Sequence, residues 1–184
     1  MPLWRKWWPM LLIGGGIIGL DQMSKNWVLE NLAYGESIIP IQALYPFFRL
    51  THSSNSGAAF GMLPMASGVF LGLSLLISAF LVLIYARSQA QDKLYQVGLS
   101  LIVGGALGNA LDRVQHGHVV DFFHLTVPSL ISNVSNFADH AIVLGVLLLM
   151  LDNWRRTRRA QRAASAAHPL QISSQEASSP PSED

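Results

Sequence analysis

Four apolar runs, at about 7–29, 66–86, 95–113 and 138–154, approach or reach the roughly 20 residues that a helix needs to cross a bilayer. In lipid every backbone N–H and C=O must be satisfied within its own element, so runs of this kind leave a chain little choice but helix. Charged residues make up 12% of the 184, half the ~25% of an ordinary soluble domain. Together these features describe an all-α membrane protein, a four-transmembrane-helix bundle. A net charge of +1 gives no case for nucleic acid as a partner. The absence of cysteine excludes disulfides, thiolate metal sites and a cysteine nucleophile.

The first run follows Arg5 and Lys6 and contains "PMLLIGGGIIGL", as a secretory signal would. No small-residue cleavage site comes after it, only "DQMSK", so it is expected to stay as an anchor. Three small-xxx-small pairs, Gly15/Gly19, Gly68/Gly72 and Gly104/Gly108, suit close packing of helices. Lys and Arg set the orientation. Arg5 and Lys6 precede the first run, Arg87 and Lys93 lie between the second and third, and Arg155, Arg156, Arg158, Arg159 and Arg162 follow the fourth. Nine of the twelve basic residues therefore mark one side, and both termini are expected in the cytoplasm.

Two segments, about 30–65 and 114–137, then face outward. "SIIPIQALYPFFRLTH" in the first has β-branched and aromatic residues broken by prolines, which predicts short edge strands in a small β-containing extracytoplasmic element. Trp27, Tyr34, Tyr45, Phe47 and Phe48 suit the membrane interface. Residues 1–162 form the four-span domain. The Ser/Ala/Pro-rich stretch 163–184 is expected to be a disordered cytoplasmic tail.

The polar residues of the spans share one depth. Asp21 lies fourteen residues into the first run and Asp112 seventeen into the third, or roughly 21 and 26 Å from the inner face at about 1.5 Å per residue. Asp139 opens the fourth run, Asp121 lies beyond Arg113, and Asn55 in "NSGAAFG" precedes the second run. All converge on the outer membrane boundary, where charge is costly and usually functional. Each also has a plainer role. Asp21 and Lys25 are i,i+4 neighbours suited to a local ion pair. Asp112 and Arg113 are adjacent, so each needs a partner on another helix. Asp139 suits the first turn of a helix. Gly57 and Gly61 permit unusual backbone angles before the second run. His52, His116, His118, His124 and His140 have no metal-binding spacing, so neither metal nor cofactor is expected.

Asp121, in "VVDFF", has apolar neighbours that disfavour its ionised form. With no GxSxG, metal motif or cysteine in the chain, Asp121 and Asp139 are the available acid–base pair. Two carboxylates sharing one proton supply one acid and one base, enough to hydrolyse an amide with an activated water.

At these residues the chain resembles the bacterial lipoprotein signal peptidases, or signal peptidase II, which are membrane aspartic proteases. The match covers about 10–155 and consists of "DQMSK", "NSGAAFG", "GGALGNALDR", "VVDFF" and N-x-A-D at Asn136–Asp139, in that order. The resemblance implies that Asp121 and Asp139 are the catalytic dyad. It places Asp21, Asn55, Gly108, Asn109, Asp112, Arg113 and Asn136, with Lys25 in "DQMSK", around the site. It also implies an enzyme of the cytoplasmic (inner) membrane that cuts diacylglyceryl-modified prolipoproteins just before the lipidated cysteine, with membrane lipids as its surroundings. Ser135, His140 and the loop "TVPSLISNVS" depart from the family pattern at the pocket rim. Phe60 and Met62 are expected to give the site apolar lining. The competing reading is a small transporter with an intramembrane carboxylate relay through Asp21, Asp112 and Asp139, which needs carboxylates spread through the membrane.

Overall fold

Each apolar run lies in a long helix: α1 Leu3–Asn31, α2 Ala66–Arg87, α3 Lys93–His116 and α4 Phe137–Ser178. The computed structural model describes the backbone of residues 3–57, 66–89, 91–127 and 131–178. Among the described residues three segments are long and apolar enough to cross a membrane: Ser67–Arg87, Lys93–His116 and Phe137–Arg162. α1 is as long as any of these, but Asp21, Gln22 and Lys25 dilute its apolar character.

The backbone of α4 stays helical to Ser178, through most of the stretch expected to be disordered, while 179–184 lie outside the described residues. "RRAQRAASAA" at 158–167 is built largely from strong helix formers.

α3 is the central helix and packs against α1, α2 and α4. Its glycines make this possible. A Cβ on Gly105 would lie 2.4 Å from the Ala138 carbonyl oxygen of α4, and one on Gly104 would lie 2.8 Å from that of Gly14 on α1. Lipid gives little hydrophobic drive between helices, so close backbone approach of this kind supplies packing instead. Of the three glycine pairs seen in the sequence, only Gly104/Gly108 is used for packing among the described residues. Gly15, Gly19, Gly68 and Gly72 meet nothing within 4 Å among the described residues. The outer faces carry exposed apolar side chains, among them Leu11, Leu12, Leu76, Phe80, Val143 and Met150. Trp27, Tyr34, Tyr45 and Phe47 are exposed as well, and Phe48 is half-buried.

One end of the bundle carries a four-stranded antiparallel sheet of β1 Ser37–Ile38, β2 Phe48–Asn55, β3 Val119–Val127 and β4 Ile131–Ser135, in that order. Of the strands in residues 30–65, β1 is the short edge strand expected, whereas β2 is an eight-residue strand inside the sheet, between β1 and β3. β3 and β4 were not anticipated, because β3 begins with four buried residues and shows no polar alternation there. Val120 and Phe122 pack on Val28 of α1 and on Leu32 just beyond it. Successive side chains alternate across a strand, so Asp121 is turned away from that cluster.

Candidate active site

The strand register delivers the first carboxylate. Beyond an irregularity between Leu50 and Ser53, β2 pairs with β3 so that Ser53 faces Asp121 and Asn55 faces Val119. Asn55 Nδ2 then donates to Asp121 Oδ2 at 3.0 Å. Asn55 Oδ1 accepts the Gly57 N–H at 2.9 Å, which fixes the amide. Gly57 has φ +81°, a left-handed conformation that glycine adopts without strain. Asp121 is 2% exposed. Burial, reinforced by the nearby Asp139 charge, pushes its carboxyl up to about 6 against the opposing amide hydrogen bonds of Asn55 and Asn136.

The second carboxylate is set by the start of α4, where Asp139 lies in the first turn. Asn136, fully buried just before the helix, accepts the Asp139 backbone N–H on Oδ1 at 2.9 Å. This is N-terminal capping by an asparagine. The Nδ2 of the same amide donates to Asp121 Oδ1 at 2.6 Å. One side chain thus caps α4 and ties it to β3. Asn109 of α3 completes the link, donating from Nδ2 to Asp139 Oδ1 at 2.8 Å and accepting from Asn136 Nδ2 at 3.2 Å.

Beneath this pair lies a buried charged cluster. Lys25 Nζ is 2.7 Å from both Asp21 Oδ2 and Asp112 Oδ2, and donates to Asn109 Oδ1 at 3.0 Å. Its three protons therefore have three acceptors. The expected i,i+4 pair is present but is only half of a bridge between α1 and α3. Asp112 also accepts from the Val120 N–H at 3.0 Å, and Asp21 Oδ1 from the Ala138 N–H at 3.0 Å. The two carboxylates therefore position the strand and the helix that carry Asp121 and Asp139. Gly108 lets α1 approach, since a Cβ there would lie 2.9 Å from Asp21 Oδ2. Gln22 was missed from the sequence, yet its Nε2 donates to Asp112 Oδ1 at 2.7 Å. Its signal was a second polar side chain beside Asp21 within an apolar run.

Arg113 does not join this cluster. Its Nη1 donates to the Asn109 carbonyl at 3.1 Å and its guanidinium lies 5.6 Å from the centre of the Phe70 ring. Gly61, Phe60 and Met62 lie outside the described residues. An apolar cavity of about 230 Å³ opens beside the site, lined by Phe48, Phe123, Leu125, Phe137 and His140. His140 stands edge-on to Phe123, while Ser135 is buried on β4. His124 accepts from Arg49 Nε on Nδ1 at 3.0 Å. Burial, then the Arg49 charge, holds its imidazole below the usual value. Among the described residues no group of three or more His, Asp or Glu is arranged to hold a metal.

Residues 13–155 match the family model of signal peptidase (SPase) II. The chain is 42% identical over 158 residues to the lipoprotein signal peptidase of Burkholderia mallei (strain SAVP1), covering 83% of this chain and 92% of that protein. That of Burkholderia vietnamiensis (strain G4 / LMG 22486) is 42% identical over 155 residues, covering 82% and 90%. Two structures of a bacterial membrane enzyme determined by the in meso method superpose with TM-scores of 0.71 and 0.70, each at 30% identity. They cover 80% and 77% of this chain, and 88% and 90% of theirs. The match spans the apolar helices, the sheet and all of the polar residues just described, and the chain belongs to the signal peptidase II family.

Proposed function

We propose that Asp121 and Asp139 are the catalytic dyad of this protease, and that its substrates are diacylglyceryl-modified prolipoproteins cut just before the lipidated cysteine. The observation that carries this reading is the Asn136 side chain, which binds Asp121 and the backbone of Asp139 at once. Two carboxylates from different elements are thereby held as one unit.

Asp121, whose carboxyl keeps its proton to about pH 6, serves as the acid. Asp139, which accepts the Asn109 amide in the first turn of α4, serves as the base. Asp139 takes a proton from water, the hydroxide adds to the scissile carbonyl carbon, and Asp121 protonates the carbonyl oxygen. When the tetrahedral intermediate collapses, the C–N bond breaks. The amine then takes the proton from Asp139, and a hydroxyl proton returns to Asp121. Asn55, Asn109 and Asn136 hold the dyad, and Asp21, Lys25, Asp112 and Gly108 hold the elements beneath it. Arg113 lies beside it.

α1 is read as a fourth span, its polar residues being turned onto α3 rather than lipid. The excess of Lys and Arg at the opposite end from the dyad favours cytoplasmic termini and a site at the outer face of the inner membrane. Residues 1–162 are the peptidase domain, with 163–184 a cytoplasmic extension. A proton relay would need carboxylates at successive depths, whereas Asp21, Asp112, Asp121 and Asp139 gather at one end of the bundle.

The test is cleavage of a diacylated prolipoprotein by purified protein. Asp121→Asn and Asp139→Asn should each lose at least ~10²-fold in rate, the lower range for a positioned acid or base. Retention of more than about a tenth of the wild-type rate by either variant overturns the dyad. Equal cleavage of the unlipidated precursor overturns the substrate class.

A further inference from the structure

Four arginines occupy one face of α4 at the end of its apolar span, Phe137–Arg162, remote from Asp139. Arg155, Arg158, Arg159 and Arg162 are spaced i, i+3, i+4 and i+7, so their guanidiniums share one side of the helix. All four are exposed, and with Trp154 they line a cleft of about 200 Å³. Like charges at i,i+4, as in Arg155/Arg159 and Arg158/Arg162, destabilise a helix. The neighbouring acids do not offset this, because Asp92 and Asp152 both pair with Arg156. Among the described residues none of the four makes an ion pair. Arg158 lies 4.3 Å from the centre of the Trp154 ring, which holds its plane by a cation–π contact. A second cleft of about 340 Å³, lined in part by Lys93, Arg155, Arg156 and Arg159, opens alongside at the start of α3.

The position of these residues identifies the ligand class. They follow directly on the exposed apolar side chains Val143, Leu147 and Met150, and Trp154 stands where interfacial tryptophans anchor a span. We propose that this face is a binding site for the phosphodiester headgroup of an anionic phospholipid, in the leaflet opposite the dyad. Guanidinium forks bind phosphate oxygens bidentately, and basic pockets at the ends of spanning helices suit such headgroups. The apolar face of α4 above the cleft takes the acyl chains. A zwitterionic lipid brings its own cation, which the four arginines disfavour. The site requires that this stretch of α4 lie at a membrane surface. It is independent of the dyad and its chemistry.

The test uses the full chain in nanodiscs of phosphatidylcholine with and without phosphatidylglycerol, read by native mass spectrometry and thermal unfolding. Phosphatidylglycerol should be retained in preference to phosphatidylcholine and should raise the unfolding midpoint. Each single Arg→Gln substitution at 155, 158, 159 or 162 should weaken its binding about five-fold, the equivalent of ~1 kcal/mol per basic residue near an anionic surface. The quadruple variant should lose the preference while cutting prolipoprotein in detergent at the wild-type rate, which also establishes that it is folded. Should the quadruple variant misfold, the four single variants decide. A preference for phosphatidylglycerol that survives the substitutions overturns the proposal. Inorganic phosphate that displaces the lipid at equal concentration also overturns it, because the face would then be a free-anion site.

Discussion

The side-chain amide of Asn136 donates to Asp121 Oδ1 at 2.6 Å. Its oxygen is occupied by the Asp139 N–H, so the amide cannot turn over without losing both bonds. Asn136→Ala should therefore cost about 10–100-fold in kcat, the value of a hydrogen bond to a charged group at 1.5–3 kcal/mol. The lost bond favours the ionised form of Asp121. Its removal should move the alkaline limb of the pH–rate profile to higher pH. A limb that stays in place, or moves down, would contradict the assignment of Asp121 as the acid.

The same carboxyl gives stability a pH dependence. In the folded protein Asp121 holds its proton to about pH 6, against an ordinary value of 3.8. Between these values the folded state binds more protons than the unfolded one, so this group's stabilisation is complete at low pH and is lost as pH rises through about 6. Asp121→Asn should remove that slope from the unfolding midpoint measured in detergent across the range. An unchanged slope would assign it to other groups.

Lys25→Met leaves Asp21 and Asp112 buried without their shared cation. Breaking a buried pair in this way costs about 3–5 kcal/mol, and thermal unfolding should show it. Adding Asp112→Asn should recover part of the loss, because one of the stranded charges is removed. No recovery would mean that Lys25 stabilises by packing alone.

Two glycines make opposite predictions. Gly105→Ala places a Cβ 2.4 Å from the Ala138 carbonyl, and overpacking of this kind costs about 1–3 kcal/mol. Because Ala138 precedes Asp139, cleavage should fall as well. Gly15→Ala meets nothing within 4 Å, and replacing a helix glycine there should stabilise by up to about 1 kcal/mol. Unfolding midpoints of the two variants compare them directly.

The long helices, the shared depth of Asp21 and Asp112, and the candidacy of Asp121 and Asp139 are legible in the order of the amino acids alone. Those features depend on local quantities: apolar run length, rise per residue and the cost of charge in a dry setting. The partners were beyond its reach. Asp112 needed a cation from another helix, and adjacency pointed to no particular one. Only the approach of α1 to α3, permitted by Gly104 and Gly108, selects Lys25. The sequence likewise offered three glycine pairs as equals, although among the described residues only the pair on the central helix has close neighbours to meet, the Gly14 backbone at Gly104 and the Asp21 carboxylate at Gly108. Gln22 and the strands β3 and β4 were hidden for the same reason. Buried on both faces, the first half of β3 has no alternation to reveal it, and a glutamine in an apolar run shows its role only when its acceptor is in place. Tertiary structure decided these points because hydrogen bonds and close contacts depend on distances between segments, which no local pattern encodes.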